Sequence, residues 1–242
     1  MSQLTRRSLL ASTAVALCIA PALVRAAIIR GGMPWTPGVA DPPQQVRPGP
    51  WHYFTADEGA TIEAMVDRLI PADADTPGGK DVGCAVYIDR QLAGPYGRRG
   101  GYYMAGPFKH GTKQQGVQSA TTPAALYRKG LAALDAHCRK VFGGKRFVDL
   151  ADADKDDLLA GIEHDKVKLE GADGHTFFEQ LIKDTQQGFF ADPIYGANKD
   201  MAAWRMIGFP GARYDYRDWV ERHNEHFPLP PVSISQHPSW SQ

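Results

Sequence analysis

His223 and His226 stand three residues apart, with Asp215, Asp218, Glu221 and Glu225 close in sequence, and together they have the composition of half a metal site near a short helix. A zinc centre needs further ligands at a compatible spacing. Neither the H-E-x-x-H form nor a third ligand at a familiar distance is present, so a solvated charged face is the better account. Asp73, Asp75 and Asp81 lie among glycines as a calcium loop would, but they depart from D-x-[DN]-x-[DN]-G and read as a polar turn. The remaining histidines, His52, His110, His137, His164, His175 and His237, are scattered along the chain. Serine chemistry lacks the G-x-S-x-G elbow, and there is no G-x-G-x-x-G, no Walker loop and no C-x-x-C-H haem attachment. Cys84 and Cys138, beside Cys18 near the start, are too few for an iron–sulfur cluster, which takes about four thiolates. Cys138 falls on an apolar helical face and reads as a packed small hydrophobe, while a disulfide through Cys84 or Cys138, internal or to a partner, stays open. No catalytic, cofactor-binding or metal-binding residue is therefore assigned.

The first residues explain where such a chain would work. Arg6 and Arg7 precede Ser8, Leu9 and Leu10, and an apolar stretch runs from Leu9 to Val24, shorter than the roughly 20 residues of a membrane-spanning helix. Residues 1–26 read as a signal peptide of the twin-arginine kind, with Val24 and Ala26 small enough for cleavage before Ala27. An ordinary secretory signal or an uncleaved anchor is the alternative. The twin-arginine route carries folded proteins, usually ones that take up a cofactor before export. The chain shows no cofactor motif of its own, so a co-exported, cofactor-bearing partner resolves the conflict. Of the 27 Lys and Arg residues, Arg6, Arg7 and Arg25 leave with the signal, so 24 remain against 27 Asp and Glu. That mildly acidic balance excludes the basic stripe of a nucleic-acid surface.

The elements that would position any site are helical. Residues 27–54 form an extended arm: Pro34, Pro37, Pro42, Pro43, Pro48 and Pro50 fix φ and remove backbone donors. Trp35 within it, and Trp51, Tyr53 and Phe54 at its end, suggest that it lies on a surface, its own or a partner's. Thr55 to Glu58 has the form of a capping box and predicts a helix to Ile70, with Ile62, Met65, Val66 and Leu69 on one stripe before Pro71. Further helices are predicted over 81–92, from Thr122 and Pro123 to Phe142, over 154–165 and over 175–187 before Gly188. Tyr127, Leu131, Leu134, Cys138, Val141 and Phe142 share a face of the longest. Between them, 94–122 is a long loop rich in glycine, aromatic and basic residues, a length that usually has a binding job. Nothing alternates with period two. The fold class is mainly α: a single helical domain over 55–242, with long Gly/Pro-rich loops, behind the arm.

The stretch from Gly188 through Asp192, Pro193, Tyr195, Gly196 and Asn198 to Trp204, Arg205, Gly208, Phe209, Pro210 and Gly211 resembles the hallmark of the gluconate 2-dehydrogenase gamma (small) subunit family. The same likeness covers Met33, Pro34 and Trp35 with the proline arm, Asp67 to Asp73, Ile88 to Gly97, and Gly106 to Phe108. The resemblance implies a periplasmic complex on the inner membrane. In it, a large FAD-binding dehydrogenase lacking its own signal and a multihaem cytochrome c carry FAD and haem c, while the small subunit is non-catalytic, carries no cofactor and escorts the flavoprotein in export and maturation. Related small subunits accompany sorbitol, fructose, glucose and 2-ketogluconate dehydrogenases, and gluconate is the substrate expected here. The alternative class is a free-standing periplasmic helical enzyme or ligand binder using His223 and His226 or the 94–122 loop. For the subunit, Arg6 and Arg7 are the export signal, and Trp35, Phe189, Phe190, Tyr195 and Arg205 are the expected partner contacts, being residue types that dominate protein interfaces. Trp204 and Phe209 are expected to be the buried pair.

Overall fold

In the computed structural model, residues 45–109, 111–115, 119–213 and 215–234 are described. Arg6, Arg7, the signal peptide, Trp35 and most of the proline arm lie outside the described residues.

Six α-helices are present among the described residues: α1 (Ala56–Leu69), α2 (Cys84–Ala93), α3 (Pro123–Val141), α4 (Asp152–Glu163), α5 (Gly174–Phe190) and α6 (Ala202–Ile207). No sheet is present among them, only an isolated bridge between Gly211 and Val232, so the mainly α class is the observed one. α1 starts as its sequence dictates, with the Thr55 hydroxyl accepting from the Glu58 amide at 3.2 Å and the Glu58 carboxylate accepting from the Thr55 amide at 2.9 Å. α3 starts on Thr122, whose hydroxyl accepts from the Ala125 amide at 3.2 Å, with Pro123 in the first turn. α2 starts later than predicted because Gly83, at φ 88°, holds a left-handed turn that Asp81 supports by accepting from the Gly78 amide.

α5 is the centre of the bundle and touches all five other helices. Its buried stripe includes Phe177, Phe178, Leu181 and Phe189, which meet Ile62, Met65, Ile88, Tyr127 and Leu134 from its neighbours. It also runs beyond the predicted stop at Gly188. That glycine is buried against Tyr87, whose Cδ1 would lie 3.0 Å from an added Cβ, so it permits a close contact with α2 instead of ending the helix. Gly130 of α3 plays the same part, since an added Cβ would sit 2.4 Å from the Phe177 ring. Val141, placed on the apolar face of α3 by its spacing, is exposed at the helix end, where Cys138 is buried and Phe142 packs against the core.

The boundary expected between residues 54 and 55 falls inside the packed unit. Phe54 is buried, and Trp51 and Tyr53 pack on the core. The reason is Asp89, a fully buried carboxylate on α2 that accepts from the amides of His52 and Tyr53 at 2.9 Å and of Phe54 at 3.0 Å and pairs with Arg90. Trp51 lies over Gly59, where a side chain would collide with the indole. Further out, the Val46 amide donates to the Ile194 carbonyl at 2.8 Å, so the described end of the arm lies on the chain's own surface.

Candidate functional site

Residues 188–211, which carry the resemblance, fold as the end of α5, a tight irregular connection and the short helix α6. The connection is held by buried polar side chains. Asn198 donates through Nδ2 to the Ala191 carbonyl and accepts through Oδ1 from the Ala203 amide, both at 2.9 Å. Those bonds span a stretch in which Asn198, Asp200 and Met201 all have positive φ, at 48°, 57° and 56°, a conformation non-glycine residues adopt only when their surroundings fix it. Asp192 accepts from the Ile194 amide at 2.9 Å, the Ser233 hydroxyl at 2.7 Å and the Ile234 amide at 2.8 Å, and so ties the last described residues to the connection.

On this frame the expected contact residues separate. Phe189 is 3% exposed and belongs to the core, which overturns its assignment as a partner contact. With α5 extended through Phe190, Phe189 continues the buried row of Phe178, Leu181 and Thr185, while Phe190, one step further round, is 42% exposed. Tyr195, in a 3-10 turn, is 47% exposed, and Arg205 projects from the outer side of α6. Trp204 is buried as expected, its Nε1 donating to the Phe190 carbonyl at 2.8 Å. Phe209, expected beside it inside, is instead 43% exposed. It follows Gly208, whose φ of 69° closes α6, and its amide returns to the Trp204 carbonyl, leaving the ring edge-on to the indole with its other side outward. The Phe190 carbonyl and the Phe209 ring thus both meet the Trp204 indole, and Met206 and Ile207 of α6 are also exposed. Exposed apolar side chains of this kind, with an arginine among them, are suited to a protein contact.

The other sequence candidates stay apart from it. His223 is exposed in a turn and His226 is exposed in an irregular stretch, neither on a helix; the 3-10 segment Arg217–Trp219 ends before them. Among the described residues no group of three His, Cys, Asp or Glu side chains could hold a metal ion. Asp215 is engaged by Arg217, whose guanidinium lowers its carboxyl to about 2. Asp73 is the polar turn its sequence suggests: it accepts from the Asp75 and Thr76 amides, which hold its carboxyl below the usual value. Cys84 and Cys138 are buried free thiols, pushed by burial up to about 12 and about 11.

Sequence reasoning missed Asp184. Its carboxylate is buried in α5 and accepts from the Tyr96 and Tyr127 hydroxyls at 2.8 Å and from Gln180 Nε2 at 2.9 Å. Burial raises its pKa, and the donated hydrogen bonds act against that rise. The two phenols are raised in turn, by burial and by the carboxylate. This cluster fastens the start of the 94–122 loop and α3 to the central helix, and the available signal was an acidic residue seven positions after Phe177, on the helix's apolar face. Tyr96 and Gln180 then form one wall of a surface cleft of about 240 Å³ whose other walls include Arg99, Tyr102 and Lys183.

A family model described as gluconate 2-dehydrogenase subunit 3 matches residues 56–211, from the first residue of α1 past the end of α6. No curated protein and no solved structure matches the chain.

Proposed function

The chain belongs to the gluconate 2-dehydrogenase subunit 3 family, a family of subunits of multisubunit dehydrogenases, and on that premise we propose that it is the non-catalytic small subunit of a gluconate 2-dehydrogenase. In this role it binds a flavoprotein that oxidises gluconate to 2-ketogluconate and escorts it through the twin-arginine route to the periplasm. Electrons then leave through a cytochrome c subunit to quinone on the inner membrane. FAD and haem c belong to those partners, and this chain contributes binding surface.

The observation that carries this role is the set of exposed apolar side chains Phe190, Met206, Ile207 and Phe209, with the exposed Tyr195 and Arg205, at the end of the matched region, next to a positive-φ connection held by the Asn198 side chain. Fixing such groups before contact removes ordering entropy from association, which favours a standing interface. Trp35 joins this proposal as a contact of the arm.

Export supplies the test. Arg6→Lys combined with Arg7→Lys should leave the flavoprotein in the cytoplasm and abolish periplasmic gluconate dehydrogenase activity. Normal periplasmic activity in that double variant refutes the escort role.

A further inference from the structure

Described residues of the 94–122 loop line a second surface that the apolar side chains at α6 do not include. Next to the cleft beside Tyr96 is a second open cleft of about 340 Å³, and Arg99 and Tyr102 line both. Together they make an elongated open groove. Its cations are Arg99, Lys183 and Lys109, its exposed rings are Tyr102, Tyr103 and Phe108, and no acidic side chain lines it among the described residues. The buried Asp184 lies behind the wall, covered by the Tyr96 hydroxyl and the Gln180 amide that donate to it. The chain as a whole carries 27 basic and 27 acidic residues, so an all-cationic lining is a local asymmetry.

The groove is also held in shape. Tyr96 is anchored on Asp184, the Arg99 guanidinium donates to the Ser119 carbonyl at 2.8 Å across the loop, and the Ala124 amide donates to the Gly97 carbonyl at 3.0 Å. Lys183 projects from α5 and Lys109 from the loop, both exposed. Separated cations with aromatic faces between them, open along their length, match an extended chain bearing spaced carboxylates better than one compact anion.

We propose that this groove receives an extended acidic segment of the flavoprotein subunit, its carboxylates on Arg99, Lys183 and Lys109 and its side chains against Tyr102 and Phe108. This site rests on the reading of the chain as a dehydrogenase subunit, and it is separate from the apolar surface at α6.

The test uses the full chain co-expressed with its flavoprotein. Lys109→Glu with Lys183→Glu should lower the captured flavoprotein about tenfold at low salt, with the chain's own melting temperature as a check on folding. Lys109→Gln with Lys183→Gln, which adds no charge beside Asp184, should give a smaller loss in the same direction. The wild-type complex should weaken between about 50 mM and about 500 mM salt, and the reversed variant should lose that dependence. A photo-crosslinking residue at position 102 should join a flavoprotein peptide rich in Asp and Glu. If the wild-type chain captures no flavoprotein, the dehydrogenase-subunit reading fails and this site with it. If it captures flavoprotein and the charge-reversed chain captures as much, the groove proposal alone is overturned. Crosslinks only to a second copy of this chain, or a small anion retained by the lone chain, overturn it as well.

Discussion

Phe189 and Phe190 are neighbours of the same type with opposite surroundings, and truncating each separates packing from contact. Phe189 is 3% exposed, so Phe189→Ala empties a volume inside the bundle and should cost about 3–5 kcal/mol of folding stability. Phe190 is 42% exposed, so Phe190→Ala forfeits only part of the roughly 1.5–3 kcal/mol of a fully buried phenylalanine, about 1–2 kcal/mol with its edge contact to Phe189 included. For a chain of this size a loss of 1 kcal/mol lowers Tm by about 2–4 °C, which puts Phe189→Ala some 6–20 °C down and Phe190→Ala about 2–8 °C. Association should order them the other way. Phe190→Ala should weaken flavoprotein capture by about 1–3 kcal/mol, roughly 5- to 150-fold in Kd, with the smaller loss for Phe189→Ala when measured below its melting range. Calorimetry of the lone subunit and a pull-down titration together decide it. Equal melting shifts, or a Phe189→Ala chain as stable as wild type, would refute the assignment of Phe189 to the core.

Three further outcomes follow from the buried groups. Asp89→Asn turns an amide towards the His52 amide and the Arg90 guanidinium, leaving donors without acceptors at about 1–3 kcal/mol each; faster hydrogen exchange at His52 to Phe54 is expected, and unchanged protection would count against Asp89 as the anchor. Burial raises the Asp184 pKa above 3.8, so the folded chain holds that proton more tightly than the unfolded chain. Stability should therefore fall as pH climbs from 3.8 through the raised value, and Asp184→Asn should flatten that part of a denaturant-midpoint profile, whereas parallel profiles would contradict it. Cys84 and Cys138, with thiols pushed up to about 12 and about 11, should resist alkylation at neutral pH until the chain unfolds, and rapid labelling of either in the native protein would show that it is not buried.

The residues of the 188–211 block were legible as a unit, but their directions were not. Which of two adjacent phenylalanines faces inward depends on whether α5 stops at Gly188 or passes through it. That depends on Tyr87 of α2 lying where a side chain at 188 would have to be. Phe209 turned outward for a more local reason: Gly208 closes α6 with positive φ, and the Phe209 amide returns to the Trp204 carbonyl, which sets its ring edge-on to the indole.

What the sequence determined by itself is what acts over one or two helical turns. The capping box of Thr55 and Glu58, the Thr122 and Pro123 start of α3, the apolar stripes and the absence of a two-residue period are local, and each appears where its residues put it. Tertiary structure alone decided the pairings between distant residues. Asp184 reaches Tyr96, 88 positions away, and Tyr127, 57 away, and Asp89 takes amides 35 to 37 positions before it. A buried carboxylate is satisfied by whichever donors the packed helices bring to it, and nothing in the nearby sequence specifies which those are.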